Sequence, residues 1–519
     1  MKLEDLSKFF SINEQAKDND LKELNISASF KPMVYPKSII EKDGAYLFIG
    51  KSEYNKYLCV VSYASETGIF NDLNGELVGI DIENYSLKKC ELNHQNAAII
   101  QEYFSFTKPE LTGINNSFGF GDRIGLANAA HIRSLENSNF KPILAQQSIR
   151  ELTRTQRTPD EVMDAAVWAV LQEGYKDGFG ADADHLKTFE DIDLMINAGF
   201  TFFTLDPSEF VNNDADSLNI SELEKETEKL RWKDLKETRE NMLNRYGDRE
   251  FDLGEGLLIK PDYEQSLRAA VKYANVIAHV KSMSDYLNNN YADRPYEIEI
   301  SVDETESVTT PFEHFFMASE MSRLGIKFIS LAPRFIGDFE KGIDYKGDIE
   351  VFKKEYFKHV KISEFFGSYK ISLHSGSDKF DVYKAIGQLK RGYTHVKTAG
   401  TSYLEALRVV AKVNPNLFRK ILDFSRIEFE KEKETYHVSA DLKNVNESVN
   451  YFNEQLVELF TQNDARQVLH VTFGKVLTEL KQNGKFLFKD EIIKCLKENE
   501  ELHNDFIINH FKNHLKPFN

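Results

Sequence analysis

Cysteine is scarce in this chain: Cys59, Cys90 and Cys495 are the only three among 519 residues. An odd number at wide spacing gives neither a disulfide framework nor a thiolate metal cluster, and a reducing cytoplasm fits best. Long apolar runs are also missing. No uninterrupted stretch of about 18 apolar residues is available to cross a bilayer, and the start, Met1-Lys-Leu-Glu-Asp-Leu-Ser-Lys8, lacks the apolar region of a signal peptide. Positive charge is in deficit, with 65 Lys and Arg against 83 Asp and Glu and a formal net charge of -18. That balance argues against nucleic acid as a partner, but a pocket can still be locally positive. Nucleotide motifs are absent as well. Gly119-Phe-Gly-Asp-Arg-Ile-Gly125 has the wrong spacing for the dinucleotide fingerprint, nothing matches the phosphate-loop lysine motif, and no short zinc-protease sequence, His-Glu-x-x-His, occurs.

What is present is a globular composition, 41% hydrophobic and 12% aromatic, in a chain long enough for two or three domains. Residues 45–91 carry short β-rich runs separated by turn material such as Asn71-Asp-Leu-Asn-Gly75. From about residue 110 strand-like and helical runs alternate. Candidate strands are Ser117–Asp122, Pro142–Gln146, Gly178–Asp182, Phe200–Leu205, Tyr296–Val302, Ile326–Leu331, Tyr369–Leu373 and Thr394–Thr398. Eight strands with helices between them define an α/β class and predict a (β/α)8 TIM-type barrel. The expected organisation is a small β-rich N-terminal accessory region over 1–110 and a barrel over 111–410. A large helical insertion at about 207–290 interrupts the barrel, and a helical C-terminal extension over 411–519 packs on it.

Ionisable residues collect where the strands end. The stretch Gly178-Phe-Gly-Ala-Asp-Ala-Asp-His-Leu-Lys187 brings Asp182, Asp184, His185 and Lys187 within six positions, and Lys370-Ile-Ser-Leu-His-Ser-Gly-Ser-Asp-Lys379 repeats the theme with His374. Helix capping can account for single carboxylates; it accounts for neither histidine. Imidazoles with one or two carboxylates suit Zn, Mn, Ni, Co or Fe, so His185 and His374 are read as ligands of a divalent metal cation. His314, in the first turn of a helix after Thr310-Pro-Phe-Glu313, is the expected third ligand, with Asp303 or Glu304 as alternatives. Asp184 and Glu304 are the candidate acid and base. Side chains alternate along a strand, so Asp184 and His185 can share a pocket only if regular strand geometry is broken there. Arg150, Arg123 and Lys187 are candidates for a substrate carboxylate, with Asp122 and Lys379 as further substrate contacts. His131 and His395 read as structural, and His470 equally as a core or a pocket residue.

These residues resemble the tagaturonate epimerase family of bacterial hexuronate catabolism. The resemblance is carried by Gly121-Asp-Arg-Ile-Gly-Leu126, Ala181-Asp-Ala-Asp-His-Leu-Lys187, Phe200-Thr-Phe-Phe-Thr-Leu-Asp-Pro207, Ser301-Val-Asp-Glu-Thr305, Leu373-His-Ser-Gly-Ser-Asp-Lys379 and His395-Val-Lys-Thr-Ala-Gly400. It implies a divalent-metal-dependent enzyme interconverting D-tagaturonate and D-fructuronate, with a small keto sugar acid as partner and no membrane. A homo-oligomer is compatible with the sequence. Because the epimerised carbon lies β to the ketone, simple enolisation cannot invert it; retro-aldol cleavage and re-addition can. The alternatives are a metal-dependent aldolase or isomerase of another sugar acid or a sugar phosphate, and a non-catalytic sugar-acid-binding protein.

Overall fold

A computed structural model describes residues 8–10, 20–26, 30–63, 68–80 and 84–518. The start of the chain on which the signal-peptide reading rests, and residues 64–67 and 81–83 of the β-rich stretch 45–91, fall outside the described residues. Among the described residues, the N-terminal region forms a seven-stranded antiparallel-paired sheet whose centre is the hairpin Ala45–Ser52 and Asn55–Tyr63. One face of the sheet buries Leu47, Ile49, Leu58 and Val60 into the same core as the barrel helices.

Eight parallel strands follow and close on themselves: β1 Ser117–Phe120, β2 Lys141–Ser148, β3 Gly180–Leu186, β4 Phe202–Leu205, β5 Glu297–Ser301, β6 Ser330–Ala332, β7 Lys370–Leu373 and β8 Tyr393–Thr398. β8 pairs with β1, which completes the ring in sequence order. The helices around it carry strong local signals. Pro159–Glu173, for example, starts in a Thr158/Glu161 capping box with Pro159 in its first turn and stops at Gly174, whose φ of 56° requires the left-handed region.

Several strand bounds differ from the sequence expectation; β6, for example, is Ser330–Ala332 in place of the expected Ile326–Leu331. β3 runs on through Asp184 and His185, because these charged side chains sit on the barrel axis instead of in a loop. After β4 come the accessory helices Ile220–Glu228 and Arg239–Tyr246 and then the long helix Tyr263–Asn290, which buries Ala270, Ala274 and Ile277 in the main core and Leu267 against Leu223.

The C-terminal extension has a core of its own around Phe418, Leu422, Val468 and Leu469. Its final helix, Glu500–Leu515, returns to the barrel wall, where Phe511 meets Phe120 and His131 with ring centroids 5.0 and 4.8 Å apart. Among the described residues, no helix is long and apolar enough to cross a membrane.

Candidate active site

Alternating side chains on buried strands would ordinarily fill a barrel with apolar layers. Here much of the axis is polar. Near the N-terminal ends of the strands, Lys370 donates to Thr112 Oγ1 at 2.6 Å and Ser117 Oγ at 3.1 Å. One level up, Lys397 Nζ lies 2.8 Å from each of Asp182, Asp184 and Glu299 and 2.5 Å from Thr204 Oγ1. Burial opposes a charge there, but three carboxylates outweigh it and hold Lys397 above the ordinary lysine range. The ammonium is thus a fixed countercharge, unsuited to act as a nucleophilic amine.

The two strand-end histidines meet at the next level, with ring centroids 5.0 Å apart. His185 Nδ1 is 3.1 Å from Asp206 Oδ2, and its Nε2 is 3.7 Å from Asp184 Oδ1. His374 Nε2 is 2.7 Å from Glu299 Oε1, and its Nδ1 is 3.0 Å from Asp303 Oδ1. Burial alone would lower both imidazoles. Asp184 and Asp206 instead raise His185 to about 10, and Asp303 and Glu299 raise His374 to about 9. The carboxylates call for positive charge at this spot. Ligand atoms of Asp184, His185 and His374 lie within 4.8 Å of one another, so the donor set has the composition and compactness a divalent cation requires.

A break in β3 makes this possible. The β3–β4 register shifts between Ala183 and Leu186, and His185 has φ of 53°. A non-glycine residue in that region costs on the order of 1–3 kcal/mol. The bulge turns two consecutive side chains, Asp184 and His185, toward the same cavity.

That cavity opens at the C-terminal ends of the strands, with an outer chamber of about 260 Å³ and an inner one of about 40 Å³ that share Arg150, Asp303, Glu304, Lys341 and His374. Asp184, His185 and Lys397 line the inner chamber; Tyr436 and His437 of the C-terminal extension wall the outer one. A larger cavity of about 710 Å³ lies on the flank between the N-terminal hairpin and the C-terminal helices. It touches none of the histidine–carboxylate groups and shares only Arg123 with the barrel mouth.

The cavity thus unites Asp184, His185, His374, Asp303, Glu304, Arg150 and Arg123 from among the sequence-derived candidates. Arg123 is deeply buried, bonded to Glu151 at 2.8 Å and stacked over Phe473. Other candidates are placed elsewhere. His314 is fully buried between two outer helices, its Nδ1 2.8 Å from His359 Nδ1 and its Nε2 2.6 Å from Tyr369 Oη. The expectation of a third ligand at His314 is therefore corrected: the helix Pro311–Arg323 presents this face to its neighbour Ile349–Phe365 and away from the mouth. Asp122 accepts the backbone amides of Ile124, Gly125 and Ala127 and shapes the loop after β1. Lys379 donates to the carbonyls of Glu340 and Ser377 at 2.8 and 2.9 Å, and burial lowers it to about 7. Lys187, 39% exposed, pairs with Glu209 outside the cavity wall. Neither Asp122, Lys379 nor Lys187 faces the chambers.

Sequence reasoning gave no role to Glu299, Asp206, Lys397 and Lys341. The first three carried a readable signal, since they are charged residues in or just beyond the predicted strands. Lys341 belongs to the irregular segment after β6 and carried none.

Fold and site together define a (β/α)8-barrel enzyme with a histidine–carboxylate centre beneath a cationic rim. The sequence profile of tagaturonate epimerase matches residues 35–518, and the chain belongs to that family. It is 43% identical over 486 residues to the tagaturonate/fructuronate epimerase of Thermotoga maritima, covering 93% of this chain and 96% of that one. Two crystal structures of fructuronate-tagaturonate epimerase from Cohnella laeviribosi superpose on it at 39% identity. The native form gives a TM-score of 0.88, covering 95% of this chain and 97% of that one; a one-glycerol complex gives 0.87, with 94% and 96% covered.

Proposed function

We propose that this chain interconverts D-tagaturonate and D-fructuronate with a divalent cation held by His185, His374 and Asp184. The observation that carries the reading is the paired arrangement of the two histidines. Each has one nitrogen against an orienting carboxylate, Asp206 for His185 and Glu299 for His374, as ligand histidines do; the other nitrogen faces Asp184 and Asp303, respectively. A cation bound there would stabilise negative charge building on the keto oxygen.

The protein's own groups would manage the proton and the fragments. Lys397, His185 and His374 hold Asp184 strongly ionised against the effect of its burial, which suits a ligand and weakens a base. Glu304 is bonded at 3.3 Å to Arg150 at the cavity wall and is the carboxylate left for proton transfer. In a retro-aldol route Glu304 takes the C4 hydroxyl proton as the C3–C4 bond breaks and its electron pair moves toward the keto oxygen. The aldehyde fragment turns over inside the chamber, the bond re-forms on its other face, and Glu304 returns the proton. The walls contributed by Tyr436 and His437 keep the fragments from leaving.

Incubating the metal-loaded protein separately with D-tagaturonate and with D-fructuronate, and following both by NMR, tests the reading. Both reactions should approach one mixture. Absence of turnover with Mn, Zn, Ni, Co and Fe would defeat it.

A further inference from the structure

The cavity holds one lysine that the reaction outlined above leaves without work. Lys341 Nζ is 2.7 Å from Ser375 Oγ, the residue after His374, and no carboxylate lies within ion-pair distance of it among the described residues. Most other cations of the site are committed: Arg123 to Glu151, Arg150 to Glu304, and Lys397 to three carboxylates. Arg334 lines the outer chamber only and bonds the Asp303 carbonyl at 3.4 Å. Lys341 lines both chambers. Burial and the nearby Arg150 charge pull it below the ordinary lysine range in spite of the more distant carboxylates of Glu304, Asp303 and Glu151, a cost that an anion bound directly to it would reverse.

Its backbone is fixed on both sides. Glu340 Oε2 accepts from Ser439 N at 2.9 Å, Ser439 Oγ at 2.7 Å and Gln467 Nε2 at 2.7 Å; the Gly342 carbonyl accepts from Arg466 Nε at 2.7 Å. A lysine with no carboxylate within ion-pair distance, held by a built scaffold against Ser375, the neighbour of His374, is organised to receive negative charge.

We infer that Lys341 binds the carboxylate of the sugar acid and sets the preference of this site for acids over neutral sugars. This rests on the activity proposed above and adds to it the residue that reads the charge. The carboxylate would replace the missing partner of Lys341 with a charge-assisted hydrogen bond, while the keto end lies over the histidines.

The test compares the wild type with Lys341→Met, which keeps the apolar stem, and Lys341→Arg, which keeps the charge. D-tagaturonate is set against D-tagatose, which has a hydroxymethyl group where the acid has its carboxylate. In Lys341→Met, KM for the acid should rise about 10- to 100-fold with a much smaller change in kcat, and the acid-to-neutral ratio of kcat/KM should fall by at least about tenfold. Lys341→Arg should recover part of both. An unchanged KM for the acid, or equal losses on acid and neutral sugar, would overturn the assignment. Calorimetric binding of D-tagaturonate to the same three proteins keeps the question separate from turnover. If the wild type binds the acid without epimerising it, weaker binding to Lys341→Met still supports the anion site while the proposed reaction fails; equal binding refutes the site.

Discussion

A histidine with a carboxylate on one nitrogen has its ring direction set before any ligand arrives, and its tautomer once the proton on the other nitrogen has left. Glu299 does this for His374, and Asp206 does it for His185. Glu299→Gln should therefore weaken divalent-cation binding by about 10- to 100-fold in a calorimetric titration, although Glu299 is not itself among the proposed ligands. Affinity equal to wild type would remove Glu299 from this role. The same titration predicts proton release, because imidazoles raised to about 10 and 9 are protonated at pH 8 and must be neutral to bind a cation. His314→Gln gives the contrast. Bound cation should be unchanged, while stability falls by about 1–3 kcal/mol as His359 and Tyr369 lose their buried partner.

At the scale of elements, the loops after β6 and β7 are joined by one residue of the C-terminal extension. Arg466 donates from Nε to the Gly342 carbonyl and from Nη2 to Asp378 Oδ2, both at 2.7 Å. The first loop carries Lys341; the second carries His374 and Ser375, and has Ser375 and Asp378 at positive φ. Arg466→Met should raise KM for the sugar acid and weaken cation binding together, with Arg466→Lys intermediate. A lowered melting temperature with neither of these effects would make Arg466 merely structural. The barrel itself was legible because short apolar strands stand between capped helices. Its finer geometry was not. Charge density suggested that β3 ends at Asp182, whereas the buried Lys397 draws Asp182 and Asp184 onto the axis and the strand continues. Periodicity placed His314 in the first turn of a helix, but it does not say how far that helix is rotated. Lys341 lies in a segment with no period, and its meaning comes from Ser375 and the extension, contacts between loops that lie far apart in sequence.

At the scale of the whole molecule, Glu500 ties the N-terminal sheet to the last helix. It accepts from Tyr35 Oη at 2.7 Å and pairs with Lys51 and Lys56 at 2.7 and 2.6 Å. Burial would raise its carboxyl, but Lys56 and Lys51 outweigh this and lower it to about 2. A depressed carboxylate contributes stability that is fully present above its unfolded value of about 4.3 and is lost as pH falls toward 2. Glu500→Gln should flatten the pH dependence of the melting temperature across that window; an unaltered slope would show that the contact contributes little. The final helix has a further consequence, for the order in which the chain is made. His510 closes on Asp378, a partner synthesised 132 residues earlier, at 2.7 Å. At ordinary elongation rates that interval is on the order of 10 s. During it the nascent barrel can pair its eight strands while the loop bearing His374 still waits for Arg466 and His510. The loop bearing His374 is thus closed last, after the barrel strands have emerged.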